Sequence, residues 1–301
     1  MLELRSKIST IRNQIINTNM KKYILTLLSF VLIASATHAQ NGMFPMDSIK
    51  NPSMSLVRVA AEVGIESEYV FRGEKLAGSS IQPKVEFAYP VAGFDFYAGA
   101  WANTPFSKSN MNSFTEVDLY VGVNYQYKMM NIDLGYIYYW YTDEKPHGTM
   151  DRNQELYFGI TGDTAAVLDG VNLNPSLYYF YDWTKEQHTL EFSVGYDTPV
   201  GQIALGDNWG ALTFPVRVFA GYVHAQKPFG DHFIPVIPKN NYYFYCGVTA
   251  DVAWAITDFC RISAGVRYSY SNNDYAWYSY IGNDVNDKSH IWWGAKVAFG
   301  F

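Results

Sequence analysis

The chain has 301 residues, of which 49% are hydrophobic, 17% aromatic and only 17% charged, with a formal net charge of −6. A mean hydropathy of −0.12 excludes a bundle of apolar membrane helices. The acidic balance argues against a nucleic-acid partner.

From the N-terminus, residues 1–19 precede a complete export signature and read as an over-long gene start. The segment "MKKYILTLLSFVLIASATHAQ" has two lysines, an apolar run from Tyr23 to Ala36 and small residues after it. This is the layout of a secretory signal peptide spanning 20–39, with cleavage after Ala39; Ala36 also fits. Removing residues 1–39 takes away five basic residues (Arg5, Lys7, Arg12, Lys21, Lys22) and one acid (Glu3). From 22 and 28 this leaves 17 and 27, a net charge of −10. Residues 40–54 form a short periplasmic segment, and 55–301 a barrel domain.

The barrel reading comes from period-two alternation, which means a strand with two unlike faces. Val57, Val59, Ala61, Val63, Ile65, Ser67, Tyr69 and Phe71 alternate with Arg58, Glu62, Glu66, Glu68 and Arg72. On this pattern a first strand runs from 57 to 71, with Tyr69 and Phe71 in an outward aromatic girdle and Arg72 inside near its top. The clearest case is "SFTEVDLYVGVNYQYK" at 113–128, where Val117, Leu119, Val121 and Val123 alternate with Glu116, Asp118, Tyr120 and Gly122. Similar stretches lie near 81–89, 93–104, 131–142, 153–162, 172–183, 190–197, 213–225, 241–256 and 260–270. The last strand runs from Ser289 to Phe301, with Ile291, Trp293, Ala295, Val297, Phe299 and Phe301 on one face. The expected fold is all-β: a transmembrane antiparallel up-and-down β-barrel of about twelve strands. A last strand ending in Phe299 and Phe301 looks like the signal by which barrel assembly machinery inserts such proteins, and outer-membrane lipid is then the surrounding partner. Cys246 and Cys260 flank a tight turn but sit about nine residues apart along the strands, on the order of 30 Å, too far for a disulfide.

The connections predict orientation. With a periplasmic N-terminus, "PVAG" at 90–93, "KMMN" at 128–131 and "ITD" at 256–258 are short periplasmic turns, and the Gly- and Asn-rich connections at the other end are longer loops. The stretch at 199–212 fits this scheme poorly and reads as an extension of its flanking strands.

Groups that carry chemistry are scarce. His147, His188, His224, His232 and His290 show no Ser–His spacing. There is no Gly-rich phosphate loop and no zinc pattern, and "SNNDYAWYSYIGNDVND" lacks calcium-loop spacing. No catalytic, cofactor or metal site is expected, and a rim-located lipid-modifying enzyme is the least favoured reading. The charges on the inward parity are more informative: Arg58, Glu62, Glu66, Glu68, Arg72, Lys84, Glu86, Glu116, Asp118, Glu191, Arg217, Asp251, Arg261, Arg267 and Lys296, with Lys128, Glu155 and Asp182. They form either an interior ion-pair network or the lining of a pore for small polar solutes. Twelve strands enclose more room than the eight whose lumen side chains just fill. Inward aromatics such as Tyr97, Trp101, Tyr120, Tyr178, Phe180, Tyr243 and Tyr245 could instead plug it.

The stretch from 66 to 104 carries Tyr69-x-x-Arg72-Gly73, then Pro83, then Gly93-x-x-x-Tyr97-x-Gly99-x-Trp101. In these residues the chain resembles the TorF-like family of outer-membrane porins, and "LNPSLYYFYDW" at 173–183 is more weakly similar. The resemblance implies an outer-membrane barrel and a pore, and brings no catalytic residues.

Overall fold

The computed structural model describes residues 57–107, 115–142, 152–165, 167–205, 208–226, 240–273 and 288–301. The 1–19, 20–39 and 40–54 segments, His147, His232 and the acidic loop after Asn273 lie outside them. Among the described residues there are fourteen strands and no helix: β1 (Arg58–Glu66), β2 (Tyr69–Phe71), β3 (Glu74–Ala77), β4 (Ser80–Val91), β5 (Phe94–Pro105), β6 (Glu116–Tyr127), β7 (Met130–Tyr141), β8 (Arg152–Gly162), β9 (Ser176–Asp182), β10 (Gln187–Leu205), β11 (Asn208–Ala225), β12 (Asn241–Thr257), β13 (Cys260–Ser271) and β14 (Ser289–Gly300).

Twelve of them close into one antiparallel barrel, in which each strand pairs with its chain neighbour and β1 pairs with both β14 and β4. The expected strand number is therefore observed. Closure joins the chain ends: Val63 opposes Val297, and Phe301 and Val59 exchange backbone hydrogen bonds of 2.8 and 2.9 Å. No edge remains at this seam to recruit another chain.

The faces follow the alternation. Outward positions are apolar and exposed, among them Phe96, Leu119, Val121, Leu134, Val218, Val266 and Ile291. Inward positions are polar or aromatic and buried, for example Glu116, Asp118 and Tyr120 on β6. An apolar outside around a polar inside is the pattern of a barrel that crosses a membrane with strands.

Tight turns gather at the end that holds the chain ends. They are Ala92-Gly93 and a turn at Lys128, with positive φ at all three residues, and the connection between Thr257 and Cys260. Two features depart from the expected short-turn rule. Residues 163–175 form a longer loop at this end, held by Thr164, whose hydroxyl donates to the Val171 carbonyl at 2.9 Å. At the other end β9 and β10 are joined by a short turn capped by Asp182, which accepts from the backbone N–H groups of Thr184 and Lys185 at 2.8 and 3.0 Å. The 199–212 stretch does extend its flanking strands: β10 and β11 run to 19 and 18 residues and pair out to Leu205 and Asn208. Both cysteines are free. Cys246 opposes Tyr270, and Cys260 opposes Phe299.

Candidate functional site: the lumen and its hairpin

The first predicted strand is where sequence and structure part. Alternation from Val57 to Phe71 gave one continuous strand with Tyr69 and Phe71 facing lipid. Instead β1 stops at Glu66, and β2 and β3 form a separate two-stranded sheet. Tyr69, Val70, Arg72, Gly73 and Ala77 are all buried. Tyr69 packs on the inward Trp101 of β5 with ring centroids 5.2 Å apart, and Phe71 on Tyr139 of β7 at 6.4 Å. The hairpin is thus the β1–β4 connection folded into the barrel. Period two shows that the backbone is extended; it does not show which sheet the extended segment joins.

Its tip is made by Arg72 and Gly73, with φ of 49° and 80°. Two consecutive left-handed residues are what a two-residue type I′ hairpin turn needs. Gly73 is required a second time by space, since a Cβ there would lie 2.7 Å from the Cβ of Tyr245 and 2.9 Å from that of Ser271. The Arg72 guanidinium makes a two-pronged ion pair with Glu155 of β8, Nη1 donating to Oε2 at 2.9 Å and Nη2 to Oε1 at 2.7 Å. It also lies 4.7 Å from the ring centres of both Phe71 and Phe180. Both partners of the pair are buried, so the geometry must offset a large desolvation cost. The Tyr139 hydroxyl adds a 3.3 Å hydrogen bond to Glu155.

The hairpin's other carboxylates have different surroundings. Glu74 accepts from the Ser271 hydroxyl at 2.9 Å, and burial pushes its carboxyl up to about 7 against the weaker opposing pull of the Ser271 and Asn273 hydrogen bonds. Glu68 lies between Lys75, at 2.6 Å, and His290, at 3.6 Å. Partial burial works to raise the Glu68 carboxyl, but hydrogen bonds from His290 and Lys75 outweigh it and hold the group below its ordinary value.

Below the hairpin, towards the chain-ends side, aromatics fill the lumen by a repeated device. Tyr97 lies over Gly122, Tyr120 over Gly99, Tyr157 over Gly135, Tyr178 over Gly159, Tyr245 over Gly221 and Phe219 over Gly247. In every case the aromatic and the glycine are direct cross-strand partners. The missing Cβ lets the ring lie flat on the neighbouring strand. The hydroxyls then find acceptors: Tyr97 and Tyr178 donate to Asp133 at 2.7 and 3.1 Å, Tyr120 to Glu86 at 2.9 Å and Tyr245 to Glu191 at 2.6 Å. Tyr97 and Tyr157 also bond hydroxyl to hydroxyl.

Of the predicted inward charges Lys128 is a correction, since it sits in the exposed turn between β6 and β7; the others lie inside the barrel, and most are paired. Arg58 meets Asp95 at 2.7 Å, Lys84 meets Glu86 at 3.4 Å, Lys296 meets Glu62 at 3.3 Å and Arg217 meets Glu191 at 3.7 Å. Arg261 meets Asp197 at 3.4 Å, while Arg267 reaches Asp251 at 2.9 Å and Glu66 at 3.5 Å. Glu116 and Asp118 are almost fully buried, and one oxygen of each has no hydrogen-bond partner among the described residues. A cavity of about 720 Å³ occupies the chain-ends half of the lumen. Arg58, Glu86, Asp95, Arg217, Asp251, Arg261 and Lys296 line it, with the turn residues Gly93 and Met129 at its mouth. Sequence reading passed over Asp95 and Asp133; each was visible as the one acid on the inward parity of its strand. It also did not foresee the aromatic–glycine pairing. The outward His188 accepts or donates a 2.7 Å hydrogen bond with the Tyr179 hydroxyl and stacks near Tyr181.

Several solved structures are similar. LpxR from Salmonella typhimurium has a TM-score of 0.46 at 10% identity, over 80% of this chain and 99% of that one. A NanC porin structure has a TM-score of 0.45 at 11% identity, over 80% and 98%. An outer membrane channel from Pseudomonas putida F1 has a TM-score of 0.44 at 5% identity, over 83% and 97%. No curated protein sequence matches the chain. A family profile described as "Bacterial protein of unknown function (Gcw_chp)" matches residues 50–215, which is more than half of the chain. The chain belongs to the Gcw_chp family.

Proposed function

We propose that this chain is an outer-membrane porin through which small polar or charged solutes cross passively, with the β2–β3 hairpin as its constriction. The observation that carries this reading is the open space inside an apolar-faced closed barrel: about 720 Å³, charged, and reaching the turns at one rim. A lumen of this kind is too polar to serve as a packed core and has room for solutes. The Met20–Ala39 export signature and the Tyr69-x-x-Arg72-Gly73 stretch shared with TorF-like porins favour the outer membrane, with the chain ends on the periplasmic side. On this reading the protein is not an enzyme, needs no cofactor, and meets barrel assembly machinery through Phe299 and Phe301. One observation favours a second reading, a closed structural barrel: the hairpin crosses the outer half of the lumen and is bonded to the far wall through Glu155.

The deciding experiment is conductance of the purified protein in planar bilayers. Discrete channels are expected, larger when residues 67–79 are replaced by a short turn. Silence from both proteins across voltages and salts would establish the closed barrel.

A further inference from the structure

The charges inside the barrel are not mixed evenly around it. The inward faces of β5 to β9 carry Asp95, Glu116, Asp118, Asp133, Glu155 and Asp182, and no lysine or arginine. The sole basic residue in those five strands, Arg152, sits on the outward parity of β8 with Leu156. The remaining wall, β10 to β14 with β1 and β4, has six inward cations (Arg58, Lys84, Arg217, Arg261, Arg267, Lys296). Six carboxylates on the same wall balance them: Glu62, Glu66, Glu86, Glu191, Asp197 and Asp251. By formal charge one half of the wall is balanced and the other is acidic; of the acidic residues Asp95 borders the cavity, and the other five are buried in the wall at 0–3% exposure. The hairpin does not offset this, since its Arg72 and Lys75 are matched by Glu68 and Glu74. Two of the wall carboxylates borrow a cation from elsewhere, Asp95 from Arg58 and Glu155 from Arg72. Glu116 and Asp118 each retain a buried oxygen with no hydrogen-bond partner among the described residues, though Lys185 acts on Glu116 electrostatically from the β9–β10 turn.

Resting on the porin reading, we infer that the β5–β9 wall makes the pore selective for cations, so that its solutes are inorganic cations and small positively charged molecules. Fixed negative charge set in the low-dielectric wall of a wet lumen attracts counter-ions and repels co-ions along the whole passage, even where the carboxylates do not border the water directly. The effect is electrostatic and screened by salt: the Debye length falls from about 10 Å at 0.1 M to about 3 Å at 1 M.

The test is the reversal potential of the channel in potassium chloride gradients. The wild-type protein is expected to pass potassium over chloride, with a ratio that declines towards one as both solutions are made more concentrated. The double variant E116Q/D118N removes two wall carboxyl groups that make no ion pair within the barrel strands, leaving Lys185 of the β9–β10 turn as the one cation it affects, and should lower the ratio by about twofold or more. Should that variant fail to assemble, the wild-type potential and its salt dependence decide alone. Channels that prefer chloride, or show no preference at low salt, would overturn the selectivity and leave the porin reading intact. An absence of any channel would overturn both.

Discussion

Replacing Arg72 with alanine removes a guanidinium that is 5% exposed and leaves Glu155, 2% exposed, with the long 3.3 Å bond from Tyr139. Breaking a buried ion pair by removing one partner costs about 3–5 kcal/mol, because the other charge is left desolvated and uncompensated. The cost should fall on docking of the hairpin and not on the barrel, since β1 and β4 pair directly from Arg58↔Ala88 to Glu66↔Ser80. At about 1.4 kcal/mol per tenfold, docking weakens by about two to three and a half orders of magnitude. In single-channel recordings the variant should open wider or for longer, while its barrel still migrates as a folded, heat-modifiable species. The apolar double variant Arg72→Met with Glu155→Leu should restore docking, because well-packed apolar replacements of buried pairs are often neutral or stabilising. Wild-type conductance and open times in Arg72→Ala would refute the latch outright; failure of the double variant to recover would show that the ion pair is not the contact that matters.

Hairpin docking should also respond to pH. Glu74 is raised from 4.5 to about 7, so its contribution is complete below about 4.5 and is lost as pH rises through about 7. Conductance should therefore rise across that window and be flatter in Glu74→Gln, and an unchanged slope in the variant would remove Glu74 from the account. Glu68 works in the opposite sense: its contribution is present above the ordinary carboxylate range and is lost in acid. Leu119→Arg, on the exposed apolar face, should cost about 2–4 kcal/mol in denaturant unfolding from lipid vesicles if the site is near midplane; an unchanged midpoint would place that face away from lipid. Deleting Phe301 should lower the yield of heat-modifiable barrel in cells, and a normal yield would take the terminal aromatic out of assembly.

Most of the barrel was legible because a membrane wall has two solvents, lipid outside and a polar lumen inside, and a period-two chain records both. Leu119 and Asp118 could be assigned to opposite faces from the sequence alone. The lumen was only half legible. Arg72 does pair with an inward carboxylate, but from a hairpin tip and with Glu155 on the far wall, not from the top of a wall strand with its neighbours. Nothing in "SEYVF" distinguishes a strand continuing in the wall from one that folds inside. The clue lay after it, in Arg72-Gly73 between two short extended runs, the composition of a tight turn. Pairings between strands, such as Arg58 of β1 with Asp95 of β5 over the intervening β4, depend on register, which alternation alone does not fix.

The aromatic–glycine pairs bear on how such a wall is assembled without error. A strand that slips by one residue turns its apolar face inward, and the bilayer itself rejects it. A slip by two keeps every face correct, so lipid gives no protection against it. Between β5 and β6 the native register sets Tyr97 against Gly122 and Gly99 against Tyr120. Slipped by two in one direction, Tyr97 would meet Tyr120 and two rings would compete for one niche; slipped in the other, Gly99 would meet Gly122 and leave a void, with Tyr97 standing against Asn124. The tyrosines and glycines thus act as a vernier for the even-numbered errors that membrane insertion cannot detect, repeated along the barrel at Gly135, Gly159, Gly221 and Gly247.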